Sequence, residues 1–134
     1  MKTLALLLAA ATGALSLPQP SPALLTKTDI NQIIGAVLTH ADVAQFLHPD
    51  MPGRLPVKIT VTAPYSGAQL NLVLYPRPVV VVGEGADAVN FAIARTSNGA
   101  KAEISYLPEG MEGTVLLLKV QNRWIASSVS VSEY

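Results

Sequence analysis

Apolar and polar positions alternate with a period of two along most of the chain beyond Val57, and with a helical period once before it. The helical stretch is Thr28 to His40. Ile30, Ile33, Ile34, Val37, Leu38 and Ala41 fall on one stripe, with Gln32, Gly35, Ala36 and Thr39 off it. Thr28 is placed to cap this helix, and Asp29 suits its first turn. Asp42-Val43-Ala44-Gln45 has the form of a capping box. It predicts a short second helix pinned by Val43, Phe46 and Leu47 and ended by Pro49, Pro52 and Gly53.

The alternating stretches predict strands. Val57, Ile59, Val61 and Ala63 alternate with Lys58, Thr60 and Thr62, and Leu70, Leu72 and Leu74 with Asn71, Val73 and Tyr75. Pro76-Arg77-Pro78 marks a sheet edge or a bend. Val79 to Val82 reads as a short buried strand or as an edge fenced by its flanking Pro, Arg and Glu84. From Val89 to Glu133 the pattern is a run of four antiparallel strands. Asn98-Gly99 is the sequence of a two-residue type I′ turn, which would pair Arg95 with Ala102, Ile93 with Ile104 and Phe91 with Tyr106. A second two-residue turn at Asn122-Arg123 would pair Val120 with Ile125 and Leu116 with Val129. The fold class expected is α+β: one N-terminal amphipathic helix and a short second one, packed on a curved, meander-rich antiparallel sheet of about 5–7 strands.

The N-terminus changes the picture of where the protein works. Lys2 followed by the apolar run Leu4 to Leu17, then Pro18-Gln19-Pro20 and Ser21-Pro22-Ala23, has the layout of a secretory signal peptide. The expected organisation is a leader over 1–23, cut after Ala23 or after Ser16, and one domain over 24–134. The run is short for a membrane span, so no stable membrane insertion is expected once it is removed. The chain has no Cys. That excludes disulfides, thiolate nucleophiles and thiolate metal sites, and an exported protein of this kind suits a bacterial periplasm or the extracellular space. Nine basic and nine acidic residues are scattered without a run of either sign. Nucleic acid is therefore not an expected partner.

Candidate chemistry is thin. His40-Ala41-Asp42 and His48-Pro49-Asp50 concentrate the metal-capable side chains. Their spacing of eight fits no ligand pattern, so the expectation is no metal and no cofactor, with His40, Asp42, His48 and Asp50 as the alternative ligand set. No Gly-x-Ser-x-Gly elbow accompanies the many serines. Glu109 and Glu112 share one connection, a poor way to straddle a scissile bond, and are expected to be solvated. Gly83-Glu84-Gly85 lacks the third glycine of a phosphate loop. Partner-binding anchors are sought among aromatic and Arg side chains. Tyr65, Tyr75 and Arg77, beside Pro76 and Pro78, are the first choice. The Phe46–Arg54 segment, with Phe46, Met51 and Arg54, is the second.

A helix followed by a meander that ends Glu103-Ile104-Ser105-Tyr106, Gly113-Thr114-Val115 and Arg123-Trp124-Ile125 resembles the small exported domains of the cystatin-like and NTF2-like α+β rolls. The resemblance covers about the last 45 residues. It implies a helix cradled by a curved sheet and no particular activity, since such folds host enzymes, binders and assembly proteins alike. None of the family's catalytic residues maps onto this chain. The function expected is a non-enzymatic exported domain that binds a protein, peptide or envelope component, with a sheet edge open to homodimer formation. The alternative is a small metal-dependent or hydrolytic enzyme built on His40, Asp42, His48 and Asp50.

Overall fold

The computed structural model describes residues 23–134. The leader expected over 1–23 lies outside the described residues except for Ala23. Two helices come first, α1 (Lys27–Thr39) and α2 (Ala41–Ala44), and eight strands follow. These are β1 (Lys58–Val61), β2 (Val73–Leu74), β3 (Arg77–Pro78), β4 (Val80–Val81), β5 (Val89–Arg95), β6 (Ala100–Tyr106), β7 (Met111–Val120) and β8 (Arg123–Glu133). Six of them form one sheet in the order β4-β1-β5-β6-β7-β8, while β2 and β3 form a separate small hairpin. Among the described residues no helix is long and apolar enough to cross a membrane.

The fold is α+β as expected, with both helices N-terminal and packed on a sheet. The sheet is mixed, however, rather than antiparallel, and the described residues hold eight strands, six in the main sheet and two in the separate hairpin. β1 runs parallel to both of its neighbours: Ile59 pairs with Val81 on β4 and with Val89 on β5. Parallel neighbours need a crossover of a dozen or more residues, and the chain between Val61 and Val80 supplies one. Alternation alone carries no direction, which is why the sequence pattern did not reveal it. Of the strand expected over Leu70 to Tyr75, only Val73–Leu74 pairs, turning back on itself through Tyr75-Pro76 with Tyr75 at φ 58°.

The helix begins earlier than expected. Thr26, not Thr28, is the cap: its Oγ1 accepts from Asp29 N–H at 3.0 Å, and Asp29 Oδ2 accepts from Thr26 N–H at 3.0 Å. This reciprocal box satisfies two otherwise orphaned donors. The stripe then buries Ile30, Ile33, Ile34, Val37 and Leu38 at 2% exposure or less. The second helix is capped by His40 rather than Asp42, its Nδ1 accepting from Asp42 N–H at 3.2 Å.

Neither long hairpin keeps its predicted partners, and only β5–β6 keeps its predicted faces throughout; in β7–β8 the expected Leu116–Val129 pair is split between the two faces. Between β5 and β6 the loop is Thr96–Gly99, four residues closed by the Arg95–Ala100 pair. Ile93 therefore faces Ala102, and Phe91 faces Ile104. A shift of two leaves parity intact, so Val89, Phe91 and Ile93 remain buried with Ala102, Ile104 and Tyr106. Neither Asn98 nor Gly99 has positive φ, so no type I′ turn forms. Gly99 is required for another reason: a Cβ there would overlap the Leu117 carbonyl on β7. Gly99→Ala should therefore cost about 1–3 kcal/mol by forcing the loop off β7, measured as a lowered urea midpoint. The left-handed pair is found instead between β7 and β8, at Gln121 (φ 50°) and Asn122 (φ 64°), one residue before the predicted turn. Val120 consequently faces Arg123, and Leu118 faces Ile125. Ser127 is a bulge residue, because Leu117 pairs with Ala126 but Leu116 with Ser128. Its Oγ donates to Leu116 O at 3.1 Å. Met111, Val115 and Leu117 are thus the core residues of β7, and Leu116, Leu118 and Val120 point away from it.

Candidate functional site

A groove of about 770 Å³ lies along the flank of α1. It runs from Lys27 past Asn31 and Gly35 to Thr39 and is walled by Gln69, Asn71 and Leu72 on one side and by Arg123 and Trp124 on the other. The twelve helical steps from Lys27 to Thr39 make it about 18 Å long.

Each wall is fastened to the helix by an amide side chain. Asn31 reaches the 69–71 segment as a neighbouring strand would: its Nδ2 donates to Gln69 O at 2.6 Å, and its Oδ1 accepts from Asn71 N–H at 2.8 Å. Gln32 does the same on the other side, its Oε1 accepting from Trp124 N–H at 3.1 Å. Beneath that wall lies Asp29, 6% exposed. Its Oδ1 accepts from Trp124 Nε1 at 2.9 Å and from Lys119 Nζ at 3.1 Å. Burial pushes the Asp29 carboxyl up, but the hydrogen bonds from Trp124, Thr26 and Lys119 outweigh it and hold the carboxyl well below the usual carboxylate range. Asp29 is thus an ionised anchor for the helix and the β7–β8 hairpin.

The free polar groups define what the groove can hold. The side chains of Gln69 and Asn71 have no partner among the described residues, nor has Gln32 Nε2. No carboxylate lines the groove, while Lys27 and Arg123 do. Amide donors and acceptors along a trough of this length match the backbone of an extended polypeptide, about five residues at strand rise, of neutral or acidic character.

The sequence-predicted candidates are dispersed. Tyr65 is half-buried, not exposed: it packs on the core, and its hydroxyl accepts from Leu25 N–H at 3.1 Å. Tyr75 and Arg77 are exposed on the β2–β3 hairpin. Phe46 packs partly against the core, and Met51 is exposed.

Arg54 is mostly buried and pairs with Glu109, Nη2 to Oε2 at 2.7 Å, with its Cζ 5.7 Å from the Tyr106 ring centroid. His48 Nε2 lies 3.2 Å from the other Glu109 oxygen. Glu109 is therefore the centre of a charge network that straps the 48–54 loop to the sheet, rather than the solvated side chain expected from sequence. The Arg54 hydrogen bond lowers the Glu109 carboxyl, burial opposes this, and His48 adds to the lowering. Glu109→Ala should cost about 3 kcal/mol, since it strands Arg54 with Nη1 already lacking a hydrogen bond. Arg54→Met, with the volume kept, should cost less at low pH than at neutral pH, as measured by denaturant unfolding.

His40 and Asp42 stand apart from that network, 4.0 Å from each other, and serve the cap of α2. Asp50 is exposed. Among the described residues no three His, Asp or Glu side chains gather as metal ligands.

A scan against protein-family models finds no match to this chain, and searches of curated proteins and of solved structures find none either.

Proposed function

We propose that the protein is a non-enzymatic exported domain that holds an extended segment of a partner polypeptide in the groove beside α1. Gly35 carries this reading. A glycine in the interior of α1 destabilises it by about 1 kcal/mol relative to alanine. Packing gives no reason for it: a Cβ there would meet only Leu72 Cδ1, at 3.7 Å, an ordinary contact. What the missing side chain provides is room in the groove between the amide-bearing walls. Tyr75 and Arg77, a few residues past Leu72, would extend the contact. The likeness to cystatin-like and NTF2-like rolls belongs to the same proposal and supplies a framework without catalytic residues. The enzyme alternative has less support, because His40, Asp42, His48 and Asp50 are divided between a helix cap, a charge network and solvent.

Two substitutions separate fold from function. Gly35→Ala should raise the unfolding free energy by about 0.5–1 kcal/mol while weakening partner binding. Gly35→Arg, which fills the trough, should abolish capture of the envelope component that the wild-type protein retains, with the melting temperature preserved. Full retention of that component by a folded Gly35→Arg protein would exclude the groove.

A further inference from the structure

The β7–β8 hairpin outruns the rest of the sheet. β6 begins at Ala100, opposite Leu117, so the rows Leu118/Ile125, Lys119/Trp124 and Val120/Arg123 have no β6 neighbour. The overhang is about 10 Å long at strand rise. Its inner side is occupied by α1, through Trp124 and Lys119 on Asp29. Its outer side is bare. Leu116, Leu118, Val120 and Ile125 form a ledge there, each between 36% and 47% exposed. Leu118 and Ile125 face each other across the two strands.

The same end of the molecule collects cations from α1 and from four strands. Arg95 ends β5, Lys101 faces Leu116 across β6 and β7, and Arg123 faces Val120. Lys119 lies in the overhang, and Lys27 shares the α1 groove with Arg123. Only two carboxylates accompany these five cations: Asp29, committed to the hairpin, and Glu103, 3.5 Å from Lys101. The remainder of the described chain has the opposite balance, three cations against seven carboxylates. A neutral composition therefore hides a strongly dipolar molecule.

We propose that this ledge docks reversibly on an anionic lipid surface. The ledge is wholly aliphatic and lacks the Trp, Tyr or packed Arg that anchor protein interfaces. Aliphatic side chains ringed by basic ones match the boundary between headgroups and acyl chains, where the apolar side enters and the cations meet phosphate. Attraction at the basic end and repulsion at the acidic end orient the molecule with the hairpin tip down, the α1 groove to one side. The aliphatic ledge is separate from the groove, which shares only Lys27 and Arg123 with the basic end.

The absence of Cys makes the test direct. Val120→Cys places a unique thiol on the ledge, and Ser132→Cys places one far along β8. Each full-length variant, labelled with an environment-sensitive dye, is titrated with vesicles of phosphatidylcholine, with and without about a quarter phosphatidylglycerol. The dye at position 120 should shift to the blue only with the anionic vesicles, and the dye at 132 should not. Roughly half-molar salt should weaken binding about tenfold, as the Debye length shrinks to a few ångströms. Leu118→Glu with Ile125→Glu, both exposed positions, should abolish the shift with the melting temperature unchanged. Lys101→Glu with Arg123→Glu should do so through charge alone. Equal responses at 120 and 132, binding indifferent to phosphatidylglycerol, or a position-120 shift induced by polyglutamate but not by vesicles would each overturn the proposal. The last would assign the ledge to an acidic polypeptide.

Discussion

Replacing Asp29 by Ala should cost about 3–5 kcal/mol, although the side chain is small and sits in the first turn of a helix. The loss is the sum of what the carboxylate accepts: the Trp124 indole N–H, the Lys119 ammonium and the Thr26 backbone N–H. Without it the indole donor is buried unpaired, the N-cap loses half of its box, and the helix is no longer fastened to the β7–β8 hairpin. Asp29→Asn keeps one acceptor oxygen but sacrifices the charge, and should fall between wild type and Ala. The pH dependence follows from the lowered carboxyl. Because the folded value lies below the ordinary one of about 3.9, the ionised form stabilises the fold at pH values above roughly 4. That stability drains away as pH falls from there toward the folded value. Glu109 and Asp87, also lowered, by Arg54 and Lys58 respectively, act in the same direction. Urea midpoints between pH 7 and pH 3 should therefore fall for the wild type and fall less steeply for Asp29→Asn. Equal slopes would mean that Asp29 is not the principal acid-sensitive group.

Phe91→Ala should cost a similar amount, about 3–5 kcal/mol, for a different reason. Phe91 is fully buried and stands mid-sheet, paired with Val61 on the parallel side and Ile104 on the antiparallel side. Both directions of the mixed sheet meet at this residue. Deleting its ring leaves a cavity lined by strands that cannot collapse without breaking one register or the other. Denaturant unfolding is the measurement, and a cost below about 1 kcal/mol would place the core elsewhere.

The α1 stripe and the two faces of the β5–β6 hairpin were legible in the sequence because each depends on local periodicity. A helix face is decided by which residues recur every three to four positions, and a strand face by which recur every two. The β5–β6 register was two residues off and the faces still correct, since parity survives an even shift. The turn residues were less informative. Gly99 looked like a demand for positive φ, and is in fact a demand for space against Leu117, which belongs to another strand. The ordinary-looking Gln121-Asn122 carries the left-handed turn.

What only the tertiary structure decided involves residues that meet across long stretches of chain. Trp124 and Asp29 are 95 positions apart, and nothing local to either announces the pair. His48, Arg54 and Glu109 come together because the 48–54 loop reaches the end of β6, where Arg54 lies over the Tyr106 ring. The parallel pairing of β1 depends on where an 18-residue crossover returns, a global property of the path. The basic end has the same origin: α1 brings Lys27, and strand register brings Arg95, Lys101, Lys119 and Arg123, to the hairpin-tip end of the sheet. Periodicity is a short-range property of the chain and determined α1 and the buried faces of β1, β5 and β6. Charge, cavity shape and partner surface depend on how distant elements stack, and the sequence pattern alone does not contain that information.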